Sequence, residues 1–323
     1  MGKRRGALVS QASQNVAFVF PGQGSQTVGM GKELCDAFPE AKEVFQAADD
    51  ALGEKLSTLC FEGPEEALKL TANTQPAILT VSIAAHVVLS KRTGVKPAFV
   101  AGHSLGEYSA LVAAEAMTLA DAVKAVRARG TFMQDAVPAG IGAMAAVLGV
   151  PAEKIAEICT QAAQGEVVSC ANFNDPMQTV IAGHVKAVER ASELLKAAGA
   201  KRVVPLPVSA PFHCALMQPV VPRLSGVLGT FKNPIVPVVS NVEAAPNSDG
   251  AHIKELLLEQ VTGSVRWVES VQAMEKAGVT KIVELGPGRV LCGLVKRIAK
   301  SIELLNVEDP ASLEKTLAAL GGA

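Results

Sequence analysis

The sequence predicts an α/β fold in two parts, from three observations. Short apolar runs alternate with helical segments along most of the chain, the pattern of a mostly parallel sheet covered on both faces. One such run, residues 99–101, enters Gly102-His103-Ser104-Leu105-Gly106 and is followed by an alanine-rich helical stretch. From about residue 140 the order changes to βαββαβ, the ferredoxin-like unit. The expected organisation is a large α/β domain over 15–139 and 208–323, with a small ferredoxin-like domain inserted at 140–207. Residues 1–14 stand apart: they are basic, hold two serines and no acid, and read as a disordered end or a transit-peptide remnant.

Taken in order, 15–20, with the apolar run Val16-Ala17-Phe18-Val19-Phe20, reads as a buried strand. The loop Pro21-Gly22-Gln23-Gly24-Ser25-Gln26 follows, then helices at 31–38, 40–52 and 65–70. Pro76 suits a first helical turn and Gly94 a helix end, so a long apolar helix is predicted from Thr74 to about residue 90. The strand at 99–101 and helices at 107–116 and 119–135 come next, then a joint at Ala139-Gly140-Ile141-Gly142. The inserted unit reads as strand 143–148, helix 152–163, strands 167–172 and 178–182, helix 185–198 and strand 202–206. Pro205, Pro207 and Pro211 mark the return. Thereafter come helix 221–230, strand 236–240, helices 253–260 and 267–276, and strand 281–284. The turn Gly286-Pro287-Gly288 leads into a final amphipathic helix at 291–300.

Composition narrows the function. With 323 residues, 49% hydrophobic, the chain can bury a large core. A formal charge of -1 and one Trp with one Tyr argue against nucleic acid as a partner. Six cysteines without a Cys-x-x-Cys pair read as reduced thiols rather than a disulfide frame or zinc site. No uninterrupted apolar run reaches the roughly 20 residues that span a bilayer, so no membrane is expected.

A strand, Gly-x-Ser-x-Gly and a helix form the setting of a nucleophile elbow, which lifts Ser104 out of the sheet. The first amides of the new helix, above all that of Leu105, then point at whatever the serine attacks. The Gly22-Gln23-Gly24 turn lacks both phosphate-binding fingerprints, and Gln23 fits the role of second oxyanion donor from another loop. A serine needs a base. Among five histidines, His86 lies in an apolar helix, His103 adjoins the serine, His184 sits at a strand end and His252 among charges. That leaves His213, in Ser209-Ala210-Pro211-Phe212-His213-Cys214. The third member stays open between Asp175 and a Ser–His dyad oriented by a main-chain carbonyl. Arg127 and Arg129, two apart on one helix, face different ways, so at most one enters the site, as a clamp for a substrate carboxylate.

These motifs, with Arg129-Gly130, Met133-Gln134, Gly142-Ala143-Met144, Ala171-Asn172-Phe173-Asn174, Phe212 to Met217 and Glu284 to Arg289, resemble the malonyl-CoA:acyl carrier protein transacylases, over about residues 16–302. The resemblance implies an α/β-hydrolase-like large domain plus a ferredoxin-like small one. It implies Ser104 as acylated nucleophile and His213 as base, the Gln23 and Leu105 amides as oxyanion hole, and Arg129 on the malonyl carboxylate. Gln260 matches the residue whose carbonyl orients the histidine, and Asn172 one near the thioester. Malonyl-CoA would be substrate, with no permanently bound cofactor or metal, and an acidic acyl carrier protein the transient partner of a monomer. Arg289, Lys296, Arg297 and Lys300 are the candidate docking patch for that carrier. The basic N-terminal extension favours a plastid stroma, with the bacterial cytoplasm as alternative. A serine esterase or thioesterase shares the elbow, and a binding module without chemistry is the third reading.

Overall fold

Parallel pairing organises the larger part of the molecule in the computed structural model, which describes residues 15–138, 140–208 and 210–321. The predicted leader at 1–14 lies outside them. The chain opens with β1 (Val16–Phe20), buried along its whole length. Helices α1 (Lys32–Ala37), α2 (Pro39–Leu52), α3 (Leu56–Glu62), α4 (Glu65–Leu68) and α5 (Thr71–Arg92) follow. Then come β2 (Phe99–Gly102), α6 (Gly106–Ala113) and α7 (Leu119–Asp135). The inserted unit is β3 (Gly142–Leu148), α8 (Ala152–Ala163), β4 (Val168–Asp175), β5 (Gln178–His184), α9 (Val185–Ala197) and β6 (Arg202–Pro205). The chain returns through α10 (Val220–Val227), β7 (Val238–Val239), β8 (Pro246–Asn247), α11 (Gly250–Glu259) and α12 (Trp267–Lys276). It ends with β9 (Lys281–Leu285), α13 (Val290–Ile298), β10 (Glu303–Val307) and α14 (Pro310–Ala319).

The first sheet has the order β10-β9-β1-β2-β7-β8, parallel except for the β7–β8 edge. The fully buried β1 sits inside it, between β9 and β2, because a strand covered on both faces tolerates no polar alternation. The second sheet has the order β4-β5-β3-β6 with every pair antiparallel, which is the ferredoxin-like arrangement of a βαββαβ unit. Helices α8 and α9 cover one face of it through Ile155, Ile158, Val188 and Leu195. Strand β4 also leans on the large domain: Phe173 N–H donates to Val265 O (2.9 Å), and Val265 N–H to Ala171 O (2.9 Å).

Four expectations change. Helix α5 starts at Thr71, so Pro76 lies in its second turn rather than its first. The early start is supported by close packing on α7, where a Cβ on Gly130 would lie 2.7 Å from Thr71 O. Helix α5 is also long and apolar enough to cross a membrane by length and composition; 78% of its most apolar stretch is buried inside the protein, as in a core helix. Helix α13 is not the last element, since edge strand β10 and α14 follow it. Helix α14 carries the start signals of a helix, Pro310 at its first position and a capping box between Asp309 and Ser312. Helix α3 and the two-residue strand β8 were also not predicted; both are too short to show a period.

Candidate active site

The turn from β2 into α6 is held by backbone approach that only glycine permits. A Cβ on Gly102 would fall 1.8 Å from the Gly106 carbonyl carbon, and one on Gly106 would fall 2.0 Å from Phe20 O. Between them Ser104 adopts φ 50°, in the left-handed region that costs a non-glycine residue about 1–3 kcal/mol. Asn241, just beyond β7, offsets that strain. Its Oδ1 accepts the Ser104 N–H (2.7 Å) and its Nδ2 donates to Gly102 O (2.6 Å).

Ser104 Oγ lies 2.7 Å from His213 Nε2. His213 Nδ1 faces two carbonyl oxygens, Gln260 O at 2.8 Å and Gly263 O at 3.1 Å. Carbonyls only accept, so Nδ1 carries the proton and Nε2 presents its lone pair to the serine hydroxyl. Among the described residues no carboxylate bonds His213. Asp175 is on β4, its Oδ1 accepting from Met177 N–H and its Oδ2 paired with Arg297. Burial, reinforced by the positive charge of Arg129, holds the His213 imidazole neutral and pushes its pKa down to about 3.

Arg129 is 2% exposed and reaches the nucleophile. Its Nη2 donates to Ser104 Oγ (3.2 Å) and to Gln260 Oε1 (2.9 Å), and its Nη1 to Gln75 Oε1 (2.9 Å). The guanidinium stands 5.6 Å from the Tyr108 ring centroid. Arg127 turns the other way, to Asn73 and Glu54. Among the described residues all direct hydrogen bonds of Arg129 go to neutral groups, so a buried cation stands beside the serine with none of their carboxylates bonded to it. The Leu105 amide opens α6, and Gln23 closes the opposite side of the serine. Among the described residues neither backbone N–H has an intramolecular acceptor, leaving both available to an oxyanion.

A neutral imidazole on a strained serine, free amides and a buried guanidinium together suit acyl transfer of a carboxylate-bearing group. Comparison with known proteins gives the same direction. Residues 17–316 match the family model described as the acyl transferase domain. The chain belongs to that family. The malonyl CoA-acyl carrier protein transacylase of Escherichia coli K12 is 50% identical over 93% of this chain and 98% of its own length. The solved structure of the malonyl CoA-acyl carrier protein transacylase from Coxiella burnetii superposes with a TM-score of 0.93 at 43% identity, covering 96% of this chain and 98% of that one. A malonyl-transacylase solved in complex with a type II PKS acyl-carrier protein gives a TM-score of 0.92 at 46% identity, covering 94% and 99%. The two-domain α/β architecture is that of these relatives.

In this acyl transferase domain the serine opens onto a cavity of about 110 Å³ between the two sheets. Gln23, His103, Ser104, Asn172, Phe212 and His213 line it, with Met144, Leu206 and Val208 forming the apolar side. Asn172 therefore stands in the cavity wall, on β4. His103 also reaches the wall, although its Nε2 is tied to Asn174 Oδ1 (2.8 Å). The basic residues on α13 and at its two ends, Arg289, Lys296, Arg297 and Lys300, are all exposed. Of these, Arg297 also makes the 2.6 Å ion pair with Asp175, which joins α13 to the small domain. Three residues escaped sequence reasoning. Asn241 gave one signal, a polar residue at the carboxyl end of a parallel strand, where α/β folds place functional groups. Glu107 was visible in the elbow motif without a role, and Gln75 lay in an apolar helix with nothing to mark it.

Proposed function

We propose that this chain carries a malonyl group from malonyl-CoA to the phosphopantetheine thiol of an acyl carrier protein, through a malonyl ester on Ser104, in fatty acid biosynthesis. The observation that carries this reading is Arg129 Nη2 at 3.2 Å from Ser104 Oγ. An acyl group on that oxygen that ends in a carboxylate would meet a buried cation, whereas an acetyl group would leave it unmatched, at a cost of about 1–3 kcal/mol. His213 takes the Ser104 proton as the hydroxyl attacks the thioester carbonyl. The Leu105 and Gln23 amides hold the oxyanion, the carbon–sulfur bond breaks, and the coenzyme A thiolate leaves with that proton. The carrier thiol then repeats the sequence on the malonyl ester, so the kinetics are ping-pong. Gln260 orients His213 through its carbonyl and Arg129 through its side chain, and Asn172 flanks the thioester. The steps use this chain's own residues, with malonyl-CoA as substrate.

The acidic carrier protein would dock on the exposed Arg289, Lys296 and Lys300, beside Arg297. The relatives named with an organism are bacterial, which favours a bacterial cytoplasm over a plastid stroma. To test the reading, the protein is incubated with labelled malonyl-CoA, the adduct mapped by mass spectrometry, and holo carrier protein added. Label on Ser104 that moves to the carrier thiol is the expected result. Label that is lost to water at the same rate without any thiol would instead mark a thioesterase.

A further inference from the structure

Glu107 is fully buried in the first turn of α6, and none of the steps above uses it. Its Oε2 accepts the Gln260 Nε2–H (2.9 Å) and the Asn241 N–H (3.0 Å). Its Oε1 is buried and has no partner among the described residues. The same Gln260 amide turns its Oε1 to Arg129 Nη2, so one side chain relays between the carboxyl group and the guanidinium. Gln260 Nε2 also donates to Ser104 O (3.0 Å), and its backbone carbonyl holds His213. Through two neutral amides, Gln260 and Asn241, Glu107 thus braces the serine, the histidine's orienting carbonyl and the arginine at once.

We propose that Glu107 is a positioning residue and the internal counter-charge of Arg129, and that it takes up a proton on Oε1 when a malonyl carboxylate binds that arginine. The inference rests on the malonyl-transfer reading and deepens it. With Arg129 unmatched by substrate, an ionised Glu107 compensates the buried cation through Gln260. Once the substrate carboxylate sits on Arg129, a second buried anion has no cation left to face, and Oε1, which accepts no hydrogen bond, binds one proton from solvent. The proton leaves again when the malonyl group departs. The groups facing Glu107 are few. Arg129 comes from α7 and Tyr108 from α6; Asn241 and Gln260, on the other two segments, are neutral. Burial already raises the Glu107 carboxyl to about 7, so modest changes in its surroundings switch its charge near neutral pH. His213, held far lower, does not titrate in that range.

The test uses malonyl-N-acetylcysteamine, whose thioester carries no titrating phosphate, with acetyl-N-acetylcysteamine as control. In the unaltered protein the KM for the malonyl compound should rise about tenfold from about pH 6 to about pH 9, because the ionised Glu107 must first be protonated. The acetyl KM should stay flat. Glu107→Gln keeps an oxygen for Gln260 and Asn241 and places an amide where the proton would sit, so its malonyl KM should be flat as well. Glu107→Ala releases Gln260 and should lower kcat for both acyl groups. A malonyl KM that rises with pH as steeply in Glu107→Gln as in the unaltered protein, or an acetyl KM that rises alongside it, overturns the proposal. Mass-spectrometric malonylation of Ser104 at about pH 6.5 in each variant checks the underlying reading separately.

Discussion

On the large-domain side of the cleft, Ser104, Arg129, His213, Asn241 and Gln260 are joined by hydrogen bonds of 2.7–3.2 Å into one network. On the small-domain side, Met144 on β3 and Asn172 on β4, with Leu206 and Val208 beyond β6, present a mainly apolar wall, fastened to the other half along β4. The fastening is made of main-chain bonds to Val265, the His103–Asn174 contact and the Arg297–Asp175 ion pair. The difference assigns the work. Charge and strain belong on elements whose positions are over-determined by a parallel sheet, while the antiparallel half shapes the space in which an acyl chain lies. A strained serine persists only where the surrounding contacts leave it no alternative.

If that division holds, substitutions on the networked wall should be the costly ones. His213→Ala should lower kcat by about 10²–10⁴-fold, measured with malonyl-CoA and carrier protein. Because burial and Arg129 keep His213 neutral until about pH 3, and only the neutral ring accepts the serine proton, no loss of rate from this group should appear as pH falls from 8 to about 5. A fall in kcat below about pH 6.5 with acetyl-N-acetylcysteamine, on which Glu107 has no pH effect, would show that the imidazole is not buried as described. Arg129→Ala should shift the malonyl-to-acetyl ratio of kcat/KM by about 10–100-fold toward acetyl, read by competition between the two thioesters. An unaltered ratio would remove Arg129 from the account of selectivity. Asn241→Ala takes away the latch on the Ser104 amide. It should lower stability by about 1–3 kcal/mol in urea unfolding and slow acylation while leaving the acyl preference in place.

The smallest effect is expected where the two walls meet. Arg297→Ala breaks an ion pair whose arginine is 52% exposed, so the stability change should be below about 1 kcal/mol. Turnover of malonyl-N-acetylcysteamine, which needs no carrier, should stay within about twofold. A large loss there would show that the small domain's placement, and not only its shape, governs the chemistry.

Much of this architecture was legible beforehand, for particular reasons. Helices α7, α8 and α12 run over the predicted residues because each shows a clear 3.6-residue pattern between recognisable ends. The βαββαβ order translated directly into the second sheet, since strand alternation and turn residues are local properties. Strand β10 and helix α14 were not predicted, although the Asp309-Pro310 start signal of α14 lies in the sequence. Within the site, elimination among five histidines led to the one that meets Ser104. The open choice between an acid and a carbonyl behind it could not be closed by counting residues, because the partners are backbone atoms of Gln260 and Gly263.

By itself, then, the sequence determined the elements, the two-part α/β order and the elbow: periodicity, capping and the glycines at 102 and 106 act over a few residues and leave their mark there. The tertiary structure showed how Arg129 rather than Arg127 enters the cleft, which helical spacing left open, and it alone decided that Asn241 clasps the serine, that Arg297 ties the halves together, and that Glu107 and the Gln260 side chain stand behind the arginine. Those choices depend on where segments far apart in the chain are packed, 137 residues apart for Asn241 and Ser104. A hydrogen bond is made by position in space, and neither partner's neighbours in the chain record it.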